Sequence, residues 1–316
     1  MSGKHDSINK IDDLSSLVRM DKPSEVWKEA WHTLTLFMPA SGLKRLEGVF
    51  EHTVALYQGR IPGYRECTTG YHDLRHTTDV FLAMARLLHG MTLAGSSLPE
   101  ELVEPAMAAA MLHDVGYIQE TGDNHGTGGK YTIAHIKRGA EYAARHMGSW
   151  GFSPDETDFV ERLVNATSLT VNFDKLGMEV PGRKSAAKAI FTADLMGQMA
   201  DRVYLEKLLF LYREFMEANI ETYASEEDLL EKTLDFYSSA WKKLLDEAEY
   251  DTLHMKAHFR ERWSDDRDLY TRAIQNNISF LRKILTEHAG GRYREHLKRE
   301  GIVRKLLDIE GNGPRG

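Results

Sequence analysis

Apolar residues recur at intervals of three and four positions through most of the chain, a spacing typical of helices with one buried face. No stretch alternates apolar and polar residues over a length that would favour a β-strand. Glycine- and proline-bearing segments such as QGRIPGY and GFSPDE separate the periodic stretches. We therefore predict an all-α protein, a helical bundle with additional C-terminal helices. The first predicted helix follows a capping Ser24, and the others cover 43–58, 72–90, 99–117, 132–149, 154–169, 183–219, 225–248, 266–288 and 292–308.

The same pattern divides the chain into three parts. Residues 1–23 are polar for the most part and end at Pro23, so we expect a flexible tail there. Residues 24–220 make up the predicted helical core. Residues 221–316 are more charged, and we expect them to form a helical extension that packs on the core.

Composition excludes several classes of protein. The chain has 40 basic and 48 acidic side chains, and its net charge of -8 gives no general attraction to nucleic acid or to an anionic membrane surface. The single cysteine, Cys67, excludes an intramolecular disulfide framework and a cysteine-rich zinc site. No run approaches the roughly 20 apolar residues that span a bilayer. We expect a cytoplasmic protein with neither a nucleic-acid nor a membrane partner.

Four side chains stand out because they interrupt apolar helical stretches. They are His76 in YHDLRHTTDV, the adjacent pair His113 and Asp114 in AAAMLHDVGY, and Asp194 in IFTADLMGQMA. An unpaired imidazole or carboxylate in a core is costly, and a bound divalent cation would remove that cost. The sequence therefore predicts a metal site. Since His72 and His76 are four residues apart, we also expect them on one face of one helix.

The order of these residues resembles the HD superfamily of metal-dependent phosphohydrolases, in which a first histidine, a later His-Asp doublet and a distant aspartate bind the metal. The segment YHDLRH is similar to the YHN-x-x-H segment of cyclic-nucleotide phosphodiesterases, and the likeness extends over roughly residues 68–215. The resemblance implies that His72 is the general acid and that Asp114 or Asp194 orients the nucleophile. It also implies metal ligation by His76, His113, Asp114 and Asp194.

The chain departs from that pattern at three places. Tyr117 stands where the cyclic-dinucleotide branch often has lysine, which disfavours that branch, and Asp73 stands where the phosphodiesterases have asparagine. Asn165, Ala166 and Thr167 occupy the place of a further histidine that dinuclear members supply, so a second metal site built from histidines is not expected.

Other residues near the motifs are candidates for the same site. His135, at the start of a predicted helix, could bind a second metal or the substrate, or could be a histidine bonded to a carboxylate. The glycine-rich loop that contains His125 could act as a lid or be an ordinary flexible loop. Arg75, Lys130 and Arg202 could bind phosphate or form surface ion pairs.

The resemblance implies hydrolysis by metal-bound hydroxide of a phosphoester in a small phosphorylated substrate, with a nucleotide as the first candidate. One or two divalent ions would serve, among Mn, Fe, Co, Ni, Zn and Mg. Two alternatives remain open, a non-catalytic nucleotide-binding sensor or scaffold and a di-iron oxygenase. Apolar faces on the C-terminal helices would allow a homodimer.

Overall fold

The computed structural model describes residues 13–287, 292–304 and 306, and within these ranges it contains helices and no strand. The prediction of an all-α protein is thus confirmed. Short 3-10 helices fill several connections between the longer ones. The α-helices are α1 Pro23–Thr35, α2 Leu46–Tyr57, α3 Leu74–Leu93, α4 Glu100–Leu112, α5 His135–His146, α6 Pro154–Ala166, α7 Arg183–Ala200, α8 Tyr204–Glu217, α9 Glu226–Asp246, α10 Thr252–Trp263 and α11 Leu269–Glu287.

Helix α3 is the centre of the bundle. It packs against α1, α4, α7 and α10, and almost all of its side chains from His76 to Met91 are buried. The backbones of α3 and α7 approach closely at Gly197, where a Cβ atom would lie 3.1 Å from the backbone nitrogen of Val80. This central pair of helices carries two of the four predicted metal ligands, His76 and Asp194.

Local signals fix where several helices begin. Asp73 caps α3 by accepting a hydrogen bond from the backbone N–H of His76, and Ser153 and Glu156 form a capping box at the start of α6. The prediction that Ser24 caps the first helix is wrong. Lys22 is the N-cap residue, and helix α1 begins at Pro23, the residue before Ser24. Proline suits a first helical position because its missing N–H needs no partner there.

The structure also corrects the predicted helix over 183–219, which is two helices. Asp201 takes an extended backbone conformation after α7, and its side chain accepts a hydrogen bond from the N–H of Val203. Asn277 on α11 donates to the backbone oxygens of Met199 and Asp201. These contacts hold the break between α7 and α8. Because Asn277 is distant in the chain, the periodicity of residues 183–219 does not predict the break.

Helix α10 was not predicted. Its buried positions are Met255, His258 and Phe259, so a histidine occupies the inner face and obscures the apolar period. At the end of the chain, the predicted helix 292–308 contains two 3-10 helices, Arg292–Glu295 and Arg299–Gly301. Residues 305, 307 and 308 of that prediction lie outside the described residues.

The segments outside the predicted core pack onto it. The 3-10 helix Leu14–Ser16 contacts α11, and Leu17 and Val18 pack against the core, whereas residues 1–12 of the predicted tail lie outside the described residues. Helices α9, α10 and α11 pack on α8, α3 and α7 respectively. Within the described ranges, no helix is both long enough and apolar enough to cross a membrane.

Candidate metal centre

Three helices bring the four predicted ligands together. His76 lies in the first turn of α3, His113 and Asp114 directly follow α4, and Asp194 lies within α7. Because α4 ends at Leu112, the doublet does not belong to one continuous helix over 99–117 as predicted. The side chains of His76, His113 and Asp114 are almost fully buried, and that of Asp194 is partly open to a cavity.

The separations within this group suit a shared ion. Asp114 Oδ2 lies 3.1 Å from His76 Nε2 and 3.3 Å from His113 Nε2, and the two Nε2 atoms are 3.3 Å apart. Asp194 Oδ1 lies 3.4 and 3.8 Å from the same two nitrogens. Two ligand atoms about 2.1 Å from one ion, at right angles to each other, are about 3.0 Å apart. The buried group of His76, His113 and Asp114 could therefore hold a metal ion.

Hydrogen bonding at His113 and Asp114 leaves one potential ligand atom of each residue available to an ion. His113 Nδ1 lies 2.9 Å from the backbone oxygen of Ala110 and donates to it, which directs the lone pair of Nε2 towards the other ligands. Asp114 Oδ2 is buried and has no hydrogen-bond partner. A carboxylate oxygen without a partner is costly in a core, and this one faces the position that an ion would take.

Strong electrostatic coupling marks the same cluster. Burial acts to lower the pKa of His76, but the carboxylates of Asp114 and Asp194 outweigh it and raise that pKa to about 10. The pKa of His113 is also raised, against burial, by the same two carboxylates. The pKa of Asp114 lies well below its ordinary value because the neighbouring histidines outweigh its burial. Without an ion, protons on the histidines compensate the carboxylates.

His72 is not on the helix that carries His76, contrary to the prediction, because α3 begins only at Leu74. The His72 ring nevertheless reaches the site and stacks on Tyr117, with the centroids 4.3 Å apart. Its Nδ1 lies 2.6 Å from Glu214 Oε2, and its Nε2 lies 3.5 Å from the hydroxyl oxygen of Tyr117. A proton on Nδ1 is therefore held by Glu214, which leaves Nε2 on the side of the cavity.

Glu214 is a functional residue that the sequence reasoning missed. It lies on α8, its side chain is 4% exposed, and its Oε1 accepts a hydrogen bond of 2.8 Å from the backbone N–H of Tyr71. The available signal was a glutamate on the apolar face of an amphipathic stretch, between Leu211 and Phe215. Its partner His72 is 142 residues away in the chain, so spacing gives no indication of the contact.

His135 is the first residue of α5 and turns its ring towards Asp114. Its Nδ1 donates to the backbone oxygen of Thr132 at 2.6 Å, and its Nε2 lies 3.7 Å from Asp114 Oδ1. Burial lowers the pKa of His135 despite the nearby carboxylate, which favours the neutral form that binds metals. The start of α5 is pressed against Gly116, where a Cβ atom would lie 1.9 Å from the backbone oxygen of His135.

The predicted phosphate-binding cations do not reach the site. Arg75 is bound to Asp201 at 2.7 Å and to Glu300 at 2.6 Å, and Lys130 is paired with Asp123. Arg202 is exposed, and none of these three side chains lines the cavity beside the metal group. Charged partners within the fold hold Arg75 and Lys130, so the structure gives no support to their assignment to phosphate.

The glycine-rich loop also lies away from the cavity. No residue of 118–131 lines it, although Tyr117 and Thr132 on either side do. Gln119 donates to backbone oxygens within the loop, and Glu217 accepts hydrogen bonds from Thr127. These bonds fix the loop against α8, which argues against a lid over the metal group.

The cavity itself has a volume of about 320 Å³. Three of the four predicted ligands line it, together with His72 and His135. Residues of α8 and α9 also line it, so the C-terminal extension forms one wall of the site. The sequence reasoning assigned no site residue to that extension.

Comparison with known proteins places this arrangement in a family. The family model described as Npun_R2479-like matches residues 60–258, more than half of the chain. The chain belongs to the Npun_R2479-like family. The match to that family includes every residue of the metal group, His72, His135 and Glu214, and it also includes all of α9. No curated protein and no solved structure matches the chain.

Proposed function

We propose that this protein is a metal-dependent phosphoester hydrolase of the HD type. The observation that carries the proposal is the convergence of His76, His113, Asp114 and Asp194, with separations of 3.1–3.8 Å, beside a cavity that three of them line. The likeness of the motif residues to the HD superfamily supports the same reading. A site that combines nitrogen and oxygen donors with an adjacent histidine suits hydrolysis.

A bound divalent ion supplies two things, a lowered pKa for a coordinated water and positive charge beside the phosphoryl group. The protein's residues supply the rest. Asp194 faces the cavity and can accept a hydrogen bond from the attacking water, while Gln198 holds its Oδ1 at 3.4 Å. Tyr71 donates to the side-chain oxygen of Gln198 at 2.7 Å, which fixes the direction in which that amide points.

His72 is placed to protonate the leaving oxygen. Glu214 binds Nδ1–H and would stabilise the doubly protonated ring, so that Nε2–H can be donated into the cavity. Water loses one proton as its oxygen bonds to phosphorus, the P–O bond to the leaving alcohol breaks, and the proton from Nε2 goes to the leaving oxygen. The proton released by the water restores the one that His72 gives up. A phosphodiester and water thereby become a phosphomonoester and an alcohol.

The donor set also bears on the metal. Histidine and carboxylate together suit Mn, Fe, Co, Ni and Zn, and Mg also serves in the superfamily that the motif resembles. The two oxygens of Asp114 face different histidines, Oδ2 towards His76 and Oδ1 towards His135. If a second ion were bound, Asp114 Oδ1 and His135 would be the residues to hold it, and otherwise His135 would contact the substrate.

A hydrolysis screen tests the proposal. The purified protein, loaded in turn with each of the six metals, is assayed on phosphomonoesters, phosphodiesters and nucleoside triphosphates. We expect turnover of at least one class with at least one metal, and loss of that turnover in Asp114→Ala. Tight binding of ligands with no product under any metal would contradict hydrolysis and leave a binding role.

A matched variant controls for general damage. His254→Gln changes a half-buried histidine whose side chain bonds Ser96, far from the cavity. We expect this variant to keep both its metal and its activity.

A further inference from the structure

The cavity beside the metal group has an outer wall that is apolar and aromatic. The wall is formed by Leu208, Leu211, Phe215, Tyr223, Leu229 and Phe236. On α9, Leu229 and Phe236 are seven residues apart and share one face with Thr233. Phe215 and Tyr223 stack with their centroids 5.4 Å apart and their planes 8° from parallel. The wall thus offers an apolar surface and no charge.

No lysine or arginine of the described chain lines this cavity. Three basic residues near the site are paired with carboxylates, Arg75 with Asp201, Lys130 with Asp123 and Lys207 with Asp73. Leu169, at the cavity and 52% exposed, extends the apolar lining outwards. A substrate in the cavity would meet the metal group at one end and apolar side chains over most of the rest.

Charge balance then limits the substrate. The carboxylates of Asp114 and Asp194 would offset one divalent ion, and no further carboxylate of the described chain lines the cavity to support a second, so the site has little positive charge to spare. A di- or triphosphate chain would bring several negative charges into surroundings without cations, where unpaired charge is costly. A phosphodiester carries a single negative charge. An apolar substituent on it would gain from burial against α8 and α9.

We infer that the substrate is a phosphodiester with an apolar group that lies against the α8–α9 wall, and not a nucleoside di- or triphosphate. This inference rests on the proposed function of the site. A volume of about 320 Å³ suits a small molecule. The wall selects the substrate through the group attached to phosphorus and takes no part in the bond that breaks.

Substrates that differ only in that group test the inference. Phenyl p-nitrophenyl phosphate and methyl p-nitrophenyl phosphate share a leaving group, and ATP supplies the polyphosphate. We expect kcat/KM for the phenyl ester to exceed that for the methyl ester by about ten- to a hundred-fold. Phosphate or pyrophosphate release from ATP should be slower than hydrolysis of either diester. Equal rates for both diesters, or a preference for ATP, would overturn the inference while leaving a hydrolase.

A pair of variants on α9 makes the test specific. Phe236→Ala removes a ring from the wall and should bring the phenyl-to-methyl ratio close to one. Tyr237→Ala removes the neighbouring ring, which lies 5.9 Å from the Trp241 ring and does not line the cavity, and should leave the ratio unchanged. A ratio that falls equally in both variants would mean that the wall is not the site of discrimination.

Binding separates failure of this inference from failure of the proposed function. Diphenyl phosphate and dimethyl phosphate are titrated into the metal-loaded protein by calorimetry. If no ester is hydrolysed but diphenyl phosphate binds more tightly than dimethyl phosphate, and Phe236→Ala removes the difference, the hydrolase is wrong and the apolar subsite stands. Equal binding of both anions would overturn the subsite whatever the activity.

Discussion

At the scale of single residues, His72 depends on a partner that is distant in the chain. Glu214 holds its Nδ1, Tyr117 stacks on its ring, and its Nε2 is left on the cavity side. A general acid at this position contributes through the proton that it donates, and not through the metal, which other side chains would bind. Variants of His72 or Glu214 should therefore keep their metal content and lose turnover.

We predict that His72→Gln keeps its metal and loses about 10²- to 10⁴-fold in kcat. Glu214→Gln keeps a group that can accept the N–H of Tyr71 but removes the charge beside His72, so kcat should fall while KM changes little. Both are measured on the best ester of the hydrolysis screen, with metal content determined on the same samples. Normal turnover by His72→Gln would mean that another group protonates the leaving oxygen.

A second prediction concerns protons. Because the pKa of His76 is raised to about 10 without a metal, its imidazole is protonated at pH 7 and must lose that proton to bind an ion. We expect release of at least one proton per ion bound, because the pKa of His113 is raised as well, and metal affinity that rises with pH up to that pKa. Calorimetry in buffers of different ionisation enthalpy measures the release, and an affinity independent of pH between 6 and 9 would contradict it.

In the metal-free protein, the stability contributed by His76 and that contributed by Asp114 change with pH in opposite directions. The raised pKa of His76 stabilises the fold below the unfolded pKa of histidine, and that contribution is lost as pH rises through about 10. The lowered pKa of Asp114 stabilises the fold above the unfolded pKa of aspartate, and that contribution is lost as the solution becomes more acidic. Both contributions are complete between the unfolded pKa of aspartate and the unfolded pKa of histidine.

The first turn of α3 shows how an element positions a ligand. Asp73 caps the backbone N–H of His76 at 2.9 Å and accepts a hydrogen bond of 2.8 Å from Lys207, which is almost fully buried on α8. Burial opposes the charge of Lys207, but Asp73 and Asp201 outweigh it and raise its pKa. A buried ammonium from a neighbouring helix thus fixes the residue at which α3 begins and the direction in which His76 points.

We predict that Lys207→Met lowers the free energy of unfolding by about 3 kcal/mol, because it leaves Asp201 buried without this partner and Asp73 without its pair. Metal affinity should fall as well, since the cap of α3 weakens. Urea unfolding and metal titration measure the two effects. Lys184→Met removes a fully exposed pair with Asp174 and should change neither quantity.

Most helices and the candidate metal ligands could be predicted from the sequence because they depend on local patterns. His76, the His113–Asp114 doublet and Asp194 are polar groups within apolar periods, and the structure brings all four together. The start of α3 also had a local signal in Asp73, an aspartate at a capping position. That signal was overlooked when His72 was placed on the helix.

Other features depend on tertiary contacts that no local pattern specifies. Glu214 meets His72, Arg75 meets Asp201, and Asn277 holds the break after α7, in each case across more than 70 residues. Helix α10 was not predicted because His258 occupies its buried face and interrupts the apolar pattern. The ion pairs of Arg75 and Lys130 are also of this kind, since a sequence does not show which carboxylate an arginine or lysine will bind.

At the scale of the whole molecule, the described residues share one continuous core. Buried residues from Val26 to Leu306 form a single hydrophobic cluster, and the cavity draws its lining from positions as far apart as Tyr71 and Phe236. The predicted boundary at 220/221 therefore runs through the site, since α8 lies before it and α9 after it. The family match to residues 60–258 also crosses that boundary.

We predict that the protein unfolds in a single transition. Trp241 and Trp263 report on the C-terminal helices, while Trp27, Trp31 and Trp150 report on the rest. Urea unfolding is followed by fluorescence and by circular dichroism, in the wild type and in a Trp241→Phe/Trp263→Phe variant. For each protein, the two signals should give the same midpoint. Separate transitions for the two probes would mean that the extension folds independently of the core.

The central claim is that four side chains from three helices hold a divalent ion. Metal content per chain, measured by inductively coupled plasma mass spectrometry on protein purified without chelator or added metal, tests it most directly. We predict about one or two equivalents in the wild type and in His254→Gln, and loss of the metal in Asp114→Ala, which removes the shared carboxylate. A wild type that is metal-free and takes up none of Mn, Fe, Co, Ni, Zn or Mg would contradict the account.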